Sequence, residues 1–154
     1  MATRHVTTDS PYRLDPVLDF LRLLWSIEHG LQKMSKRMES ELGITGPQRL
    51  VLRVVGRFPG LSAGELAHIV RLHPSTITGI LQRLVARKLI ERERDPSDNR
   101  RTRLRLNPRA IVFTRNAPGT VERAVTHALN QAGATNVRAA RKVLAEVAHS
   151  LNEF

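Results

Sequence analysis

Residues 74–88 read Pro-Ser-Thr-Ile-Thr-Gly-Ile-Leu-Gln-Arg-Leu-Val-Ala-Arg-Lys, and their types divide by position. Ile77, Ile80, Leu81, Leu84 and Val85 recur at i, i+3, i+4, i+7 and i+8, the spacing of one buried helix face. The other face then carries Ser75, Thr76, Thr78, Gly79, Gln82, Arg83 and Arg87. Such a surface is small and hydrogen-bonding where the helix begins and cationic where it ends. Short hydroxyls allow close approach to base edges in a major groove, and the amides of a helix N-terminus opened by Pro74 attract phosphate. Further on, Asp95-Pro96-Ser97-Asp98-Asn99 is turn chemistry, and Arg101, Arg103 and Arg105 then alternate with Thr102, Leu104 and Leu106. This predicts a hairpin with Leu104 and Leu106 inward and a basic outer face and tip. The tip can reach a neighbouring minor groove, whose negative potential attracts arginine. Each feature alone also fits a solvated helix face or an ordinary surface hairpin. Their order, helix, turn, second helix, basic hairpin, points to double-stranded DNA.

The charge balance agrees. The 154 residues hold 25 Lys and Arg against 14 Asp and Glu, a formal excess of +11 and a pI near 11.5. Residues 61–110 alone hold eleven basic and five acidic side chains, more than half the excess in about a third of the length. The aromatics Tyr12, Phe20, Trp25, Phe58, Phe113 and Phe154 are scattered, which argues against a single-strand binder that stacks bases. There is no cysteine, so disulfides, thiolate metal sites and thiol redox sensing are excluded. No apolar run approaches the ~18 residues of a membrane span, and residues 1–13 lack the apolar region of a signal peptide. The expectation is a cytoplasmic, nucleoid-associated protein that does not enter membranes.

The elements that must position these groups are punctuated locally. Residues 1–13 are polar and read as a flexible tail. Asp15-Pro16 starts a long amphipathic helix that runs to Gly43, longer than a small core requires, so part of its face is expected to meet another subunit. Thr45 with Gln48, and Ser62 with Glu65, have capping-box spacing. The apolar positions after the first box are Leu50, Val51, Val54 and Val55. Arg71-Leu72-His73 is a short turn before Pro74. Ile90–Arg94 reads as a strand. Asn107-Pro108 opens another helix carrying Ile111, Val112 and Phe113, Pro118-Gly119 breaks it, and residues 133–136 read as a turn before a last helix.

The segments L-S-A-G-E-L-A-H-I-V, L-H-P-S-T-I-T-G-I-L-Q-R-L-V-A-R-K-L-I-E-R and D-P-S-D-N-R-R-T-R-L-R-L resemble the MarR family of bacterial transcriptional regulators. The likeness is sharpest over residues 44–107. It implies an α+β, mostly α fold: a winged helix-turn-helix lobe (44–107) between an N-terminal dimerisation helix (14–43) and C-terminal dimerisation helices (108–154). It implies a homodimer whose lobes straddle a pseudo-palindromic operator, most often as a repressor. By position, Ser75, Thr76 and Thr78 would read bases, Arg100 would enter the minor groove, and Asp98 would hold the wing in shape. With the basic and capping residues around them, the expected DNA-binding set is Ser62, Pro74, Ser75, Thr76, Thr78, Gln82, Arg83, Arg87, Asp98, Arg100, Arg101 and Arg103. Three departures stand out: Gly79 where many members carry Arg, Asn99 in place of a frequent Arg, and Asn107-Pro108-Arg109-Ala110 in place of the usual Lys-Gly.

The family also implies a small aromatic or phenolic effector between the dimerisation helices and the lobe. Trp25, His29, Phe58 and Phe113 are the residues whose type suits such a cleft, though simple packing also explains them. Glu65-x-x-His68 and Glu146-x-x-His149 each match half of a di-iron motif, but Glu65 is already a capping residue and no partner glutamates are evident, so no metal or other cofactor is expected. No nucleophile elbow, phosphate loop or paired-carboxylate motif is present, which argues against an enzyme. Two other classes fit the same residues: an architectural protein that coats DNA without preference, and a protein-interaction adaptor that has lost readout.

Overall fold

The computed structural model describes residues 13–153, so the tail expected over 1–13 lies outside the described residues except for Arg13. Helix α1 (Pro16–Leu42) starts where the Asp15 carboxylate accepts the amides of Val17 and Leu18 at 2.9 and 3.1 Å, and ends at Gly43, whose φ of 68° a side chain would disfavour. Helices α2 (Gly46–Arg57) and α3 (Ala63–Val70) both begin in complete capping boxes, Thr45 with Gln48 and Ser62 with Glu65. Helix α4 (Pro74–Ala86) follows, then strands β1 (Ile90–Asp95) and β2 (Asp98–Leu106), paired antiparallel with Ile90 opposite Leu106 and Arg94 opposite Thr102. A 3-10 turn at Pro108–Ala110 runs into α5 (Ile111–Thr114), and α6 (Val121–Asn152) closes the chain.

The apolar stripes of α2, α3 and α4 meet over the base of the hairpin. Val51, Leu52, Leu66, Leu81, Leu84 and Ile90 are all at most 1% exposed. At roughly 1.5–3 kcal/mol for each fully buried side chain, this cluster makes the lobe a stiff platform. The buried side of α2 is rotated from the sequence expectation. Arg49 and Leu52 point inward beside Val51 and Val55, while Leu50 is half-exposed. The hairpin is tethered by a third, two-residue edge: the Gly60 amide donates to the Leu104 carbonyl at 2.9 Å, and the Leu104 amide to the Leu61 carbonyl at 2.8 Å.

Two expectations change in the C-terminal part. The helix opened by Asn107-Pro108 is a 3-10 turn and a single α-turn rather than a full helix, because Arg115 is extended (φ −67°, ψ 150°) and Gly119 sits at φ 74°. The turn over 133–136 shrinks to one residue, Gly133 (φ 78°, ψ 155°), and helical backbone resumes immediately. Helix α6 buries none of its side chains within this chain, and α1 leaves Val17, Trp25 and Leu31 exposed. These two long helices present apolar faces that the lobe does not cover.

Candidate nucleic-acid interface

Helix α4 has the predicted division. Ile77, Ile80, Leu81 and Leu84 are buried, and Ser75, Thr76, Thr78, Gln82 and Arg83 are exposed on the opposite side. Pro74 occupies the first turn, and the cap is His73, a residue that capping preferences do not favour. Its ring Nδ1 accepts the Ser75 amide at 3.3 Å and lies 2.7 Å from the Ser75 hydroxyl. The Thr78 hydroxyl donates to the Pro74 carbonyl at 2.9 Å, which leaves its oxygen able to accept only. Thr76 has no such bond among the described residues, so its hydroxyl can both donate and accept. Gly79 faces open space: a Cβ built there meets nothing within 4 Å. The turn before α4 is made by Arg71 at φ 52°, a left-handed position that glycine usually marks.

The wing is organised by an acid the sequence reading passed over. Asp95 is buried and accepts three donors: the Ser97 amide at 2.9 Å, the Ser97 hydroxyl at 2.6 Å and Arg103 Nε at 2.8 Å. The Ser97 hydroxyl, the Ser97 amide and then Arg103 hold its carboxyl well below the ordinary carboxylate range. Asp98, the expected organiser, accepts the Arg100 amide at 3.0 Å and so shapes the outer tip, while Asp95 closes the base. Arg100 and Arg101 are exposed. Arg103 was expected to face outward; it is half-buried and committed to Asp95. Arg105 pairs diagonally with Glu93 at 2.7 Å.

Two other expected contacts are placed elsewhere. The Ser62 hydroxyl donates to Glu65 Oε2 at 2.8 Å and accepts the Glu65 amide at 3.2 Å, so it is occupied by its capping box. Those Ser62 donors, amide first and hydroxyl second, lower the Glu65 pKa. Arg87 turns away from the outer face of α4 and lies over the Phe113 ring, 5.8 Å from its centre.

Trp25, His29, Phe58 and Phe113 do not converge. Trp25 and His29 are exposed on α1, Phe58 sits under Arg57 at the end of α2, and Phe113 packs on the lobe core beneath Arg87. The lobe instead carries a cleft of about 470 Å³ between α1, the start of α2 and the start of α6. Leu31, Pro47, Leu50, Leu72 and Val121 make it apolar, with Gln32, Lys36 and Glu122 at its polar wall. Aliphatic residues from distant segments form it, so a search for aromatics could not find it. Among the described residues no group of three or more His, Asp or Glu is placed to hold a metal ion, and no helix is long and apolar enough to cross a membrane.

A family model described as MarR family matches residues 42–101, the lobe from the end of α1 to the wing. The fold beyond the lobe matches as well. The PcaV transcriptional regulator from Streptomyces coelicolor, solved with its natural ligand, is 26% identical and superposes with a TM-score of 0.73 over 91% of this chain and 99% of that one. The winged lobe of this chain is similar to the MarR family. The HTH-type transcriptional regulator YsmB of Bacillus subtilis (strain 168) is 30% identical over 95 residues, which is 62% of this chain. The match spans 65% of YsmB's own length, somewhat less than two thirds. A MepR–DNA complex from S. aureus shares the fold at 22% identity, with a TM-score of 0.70 over 86% of this chain and 97% of that one. In MarR-family terms, α4 is the second helix of the helix-turn-helix and β1–β2 is the wing.

Proposed function

We propose that this protein is a sequence-specific DNA-binding transcription regulator, a repressor that grips a pseudo-palindromic operator as a homodimer in the cytoplasm. One observation carries the proposal. A helix with an exposed hydroxyl, amide and guanidinium face and a hairpin with exposed arginines at its tip are fixed side by side on one rigid lobe. Ser75, Thr76, Thr78 and Gln82 supply readout of base edges, and Arg83, Arg100 and Arg101 supply the attraction to phosphate and to the minor groove. The MepR–DNA complex of the same fold supports duplex DNA as the partner. The uncovered apolar faces of α1 and α6 support dimerisation through residues 14–43 and 108–154. The apolar cleft supports release by a small, mostly apolar effector, an aromatic or phenolic compound among them.

Selection of binding sites from a random duplex pool tests this reading. The expected result is a palindromic consensus. Binding without a consensus favours an architectural protein, and no binding at low ionic strength favours an adaptor; either refutes the regulator.

A further inference from the structure

The connection between lobe and dimerisation helices is broken, and one buried cation spans the break. Residues 115–120 interrupt the path from α5 to α6: Arg115 is extended, Gly119 is left-handed, and the Thr120 hydroxyl donates to the Ala117 carbonyl at 2.8 Å instead of capping the amides of α6. A helix as short as α5 leaves its last carbonyls without helical partners. Arg49, from the first turn of α2, supplies them. Its Nη1 donates to the Phe113 carbonyl, and its Nη2 donates to the Arg115 carbonyl at 2.6 Å. Its Nε donates to both carboxylate oxygens of Glu122, in the first turn of α6, at 3.0 and 3.1 Å. Arg49 is 2% exposed. A single guanidinium therefore joins the lobe, the end of α5 and the beginning of α6, using a planar donor array that no other side chain offers.

Little else holds α6 against the lobe. It buries none of its own side chains; beside the Arg49 contact, Arg53 Nη1 of α2 lies 3.8 Å from Glu122 Oε1, and the Val121 methyl lies 3.7 Å from where a Cβ on Gly46 would stand. We infer that Arg49 is a positioning residue that fixes the angle between each winged lobe and the dimerisation helices, and thereby the half-site spacing the dimer accepts. The inference rests on the DNA-binding reading above. Each base pair added between half-sites moves them about 3.4 Å apart and turns one about 35° relative to the other. A stiff joint rejects that displacement, and a loose one follows it.

The test uses the full chain with Arg49→Lys, which keeps the charge but cannot fork, and Glu122→Gln, which keeps the shape and both carbonyl bonds. Two quantities are read: amide hydrogen exchange across residues 116–123, and affinity for operators whose half-sites are one base pair closer, at the selected spacing, or one base pair further. Wild type should favour its own spacing by about tenfold or more, and both variants should cut that ratio to about threefold or less with lone half-site affinity unchanged. Exchange across the connector should rise by roughly tenfold while the amides of α3 and α4 keep their protection. Unchanged exchange overturns the joint, and raised exchange with the spacing ratio intact overturns the positioning role. Wild-type protein that ignores every spaced duplex defeats the DNA reading instead, and the exchange data still decide whether Arg49 holds the connector. If Arg49→Lys does not fold, Glu122→Gln alone carries the decision.

Discussion

The wing arginines should separate sharply by what already holds them. Arg100 is exposed, and its backbone, not its guanidinium, is what Asp98 engages. Removing its side chain leaves every internal bond of the hairpin in place, so thermal stability of Arg100→Ala should stay within about 0.5 kcal/mol of wild type. A specific arginine contact to DNA is worth about 1–3 kcal/mol. A symmetric operator engages two wings, so the dimer should lose about 2–6 kcal/mol, at least roughly 30-fold in affinity. Arg105 is the internal control. It is half-exposed and paired with Glu93 at 2.7 Å, an interaction worth about 0.2–1 kcal/mol, so Arg105→Ala should weaken binding only a few-fold. Fluorescence anisotropy on the selected operator, with thermal unfolding of the same preparations, reads both quantities. Equal affinity for Arg100→Ala and wild type would refute the wing assignment, and so would an Arg105→Ala loss as large as that of Arg100→Ala.

Three shorter predictions follow from single sites. Gly79→Ala should stabilise the protein by about 1 kcal/mol, because its Cβ enters open space in the middle of α4, and a melting temperature that fails to rise would contradict the placement. Thr76→Ala should change the selected consensus and leave the slope of log affinity against log salt unaltered, since a hydroxyl neutralises no phosphate; a uniform loss across all sequences would place it outside base readout. Asp95 has a folded pKa below the ordinary value of about 3.9, so it favours the folded wing wherever the unfolded chain is ionised and loses that contribution only as pH falls through the lower folded value. The Ser97 amide resonance should therefore hold steady from pH 7 to about 4, and a titration midpoint within that range would remove Asp95 from its assigned role.

What could be read from the chain is what is encoded within a few residues. Asp15, the Thr45–Gln48 and Ser62–Glu65 boxes, Gly43 and the stripe of α4 are local signals, and the structure reproduces each. The turn residues Arg71 and Lys88 carry no signal, because they occupy positive φ, 52° and 55°, where glycine is the usual marker. His73 hides for a similar reason, being an uncommon cap. Arg49 and Glu122 are 73 positions apart, and nothing in either neighbourhood announces the other. The alternation rule put Arg103 outside, yet a buried carboxylate diagonal to it drew it inward. The cleft escaped because four distant segments build it from ordinary aliphatic residues.

The same partition limits how much of the +11 charge can act on DNA. Arg49 is buried in the joint, Arg103 closes the wing, Arg105 is paired with Glu93, and Arg87 lies on Phe113. Within the helix-turn-helix and wing, the exposed cations with neither an ion pair nor an aromatic ring partner among the described residues are Arg71, Arg83, Lys88, Arg92, Arg94, Arg100 and Arg101. If about three to five of these reach phosphate in each lobe, a dimer neutralises about six to ten, and each contributes about −0.9 to the slope of log affinity against log salt. A slope near −5 to −9 is therefore expected for the specific complex. A slope shallower than about −3 would mean that one lobe engages at a time, or that the excess charge serves the surface generally and not this face.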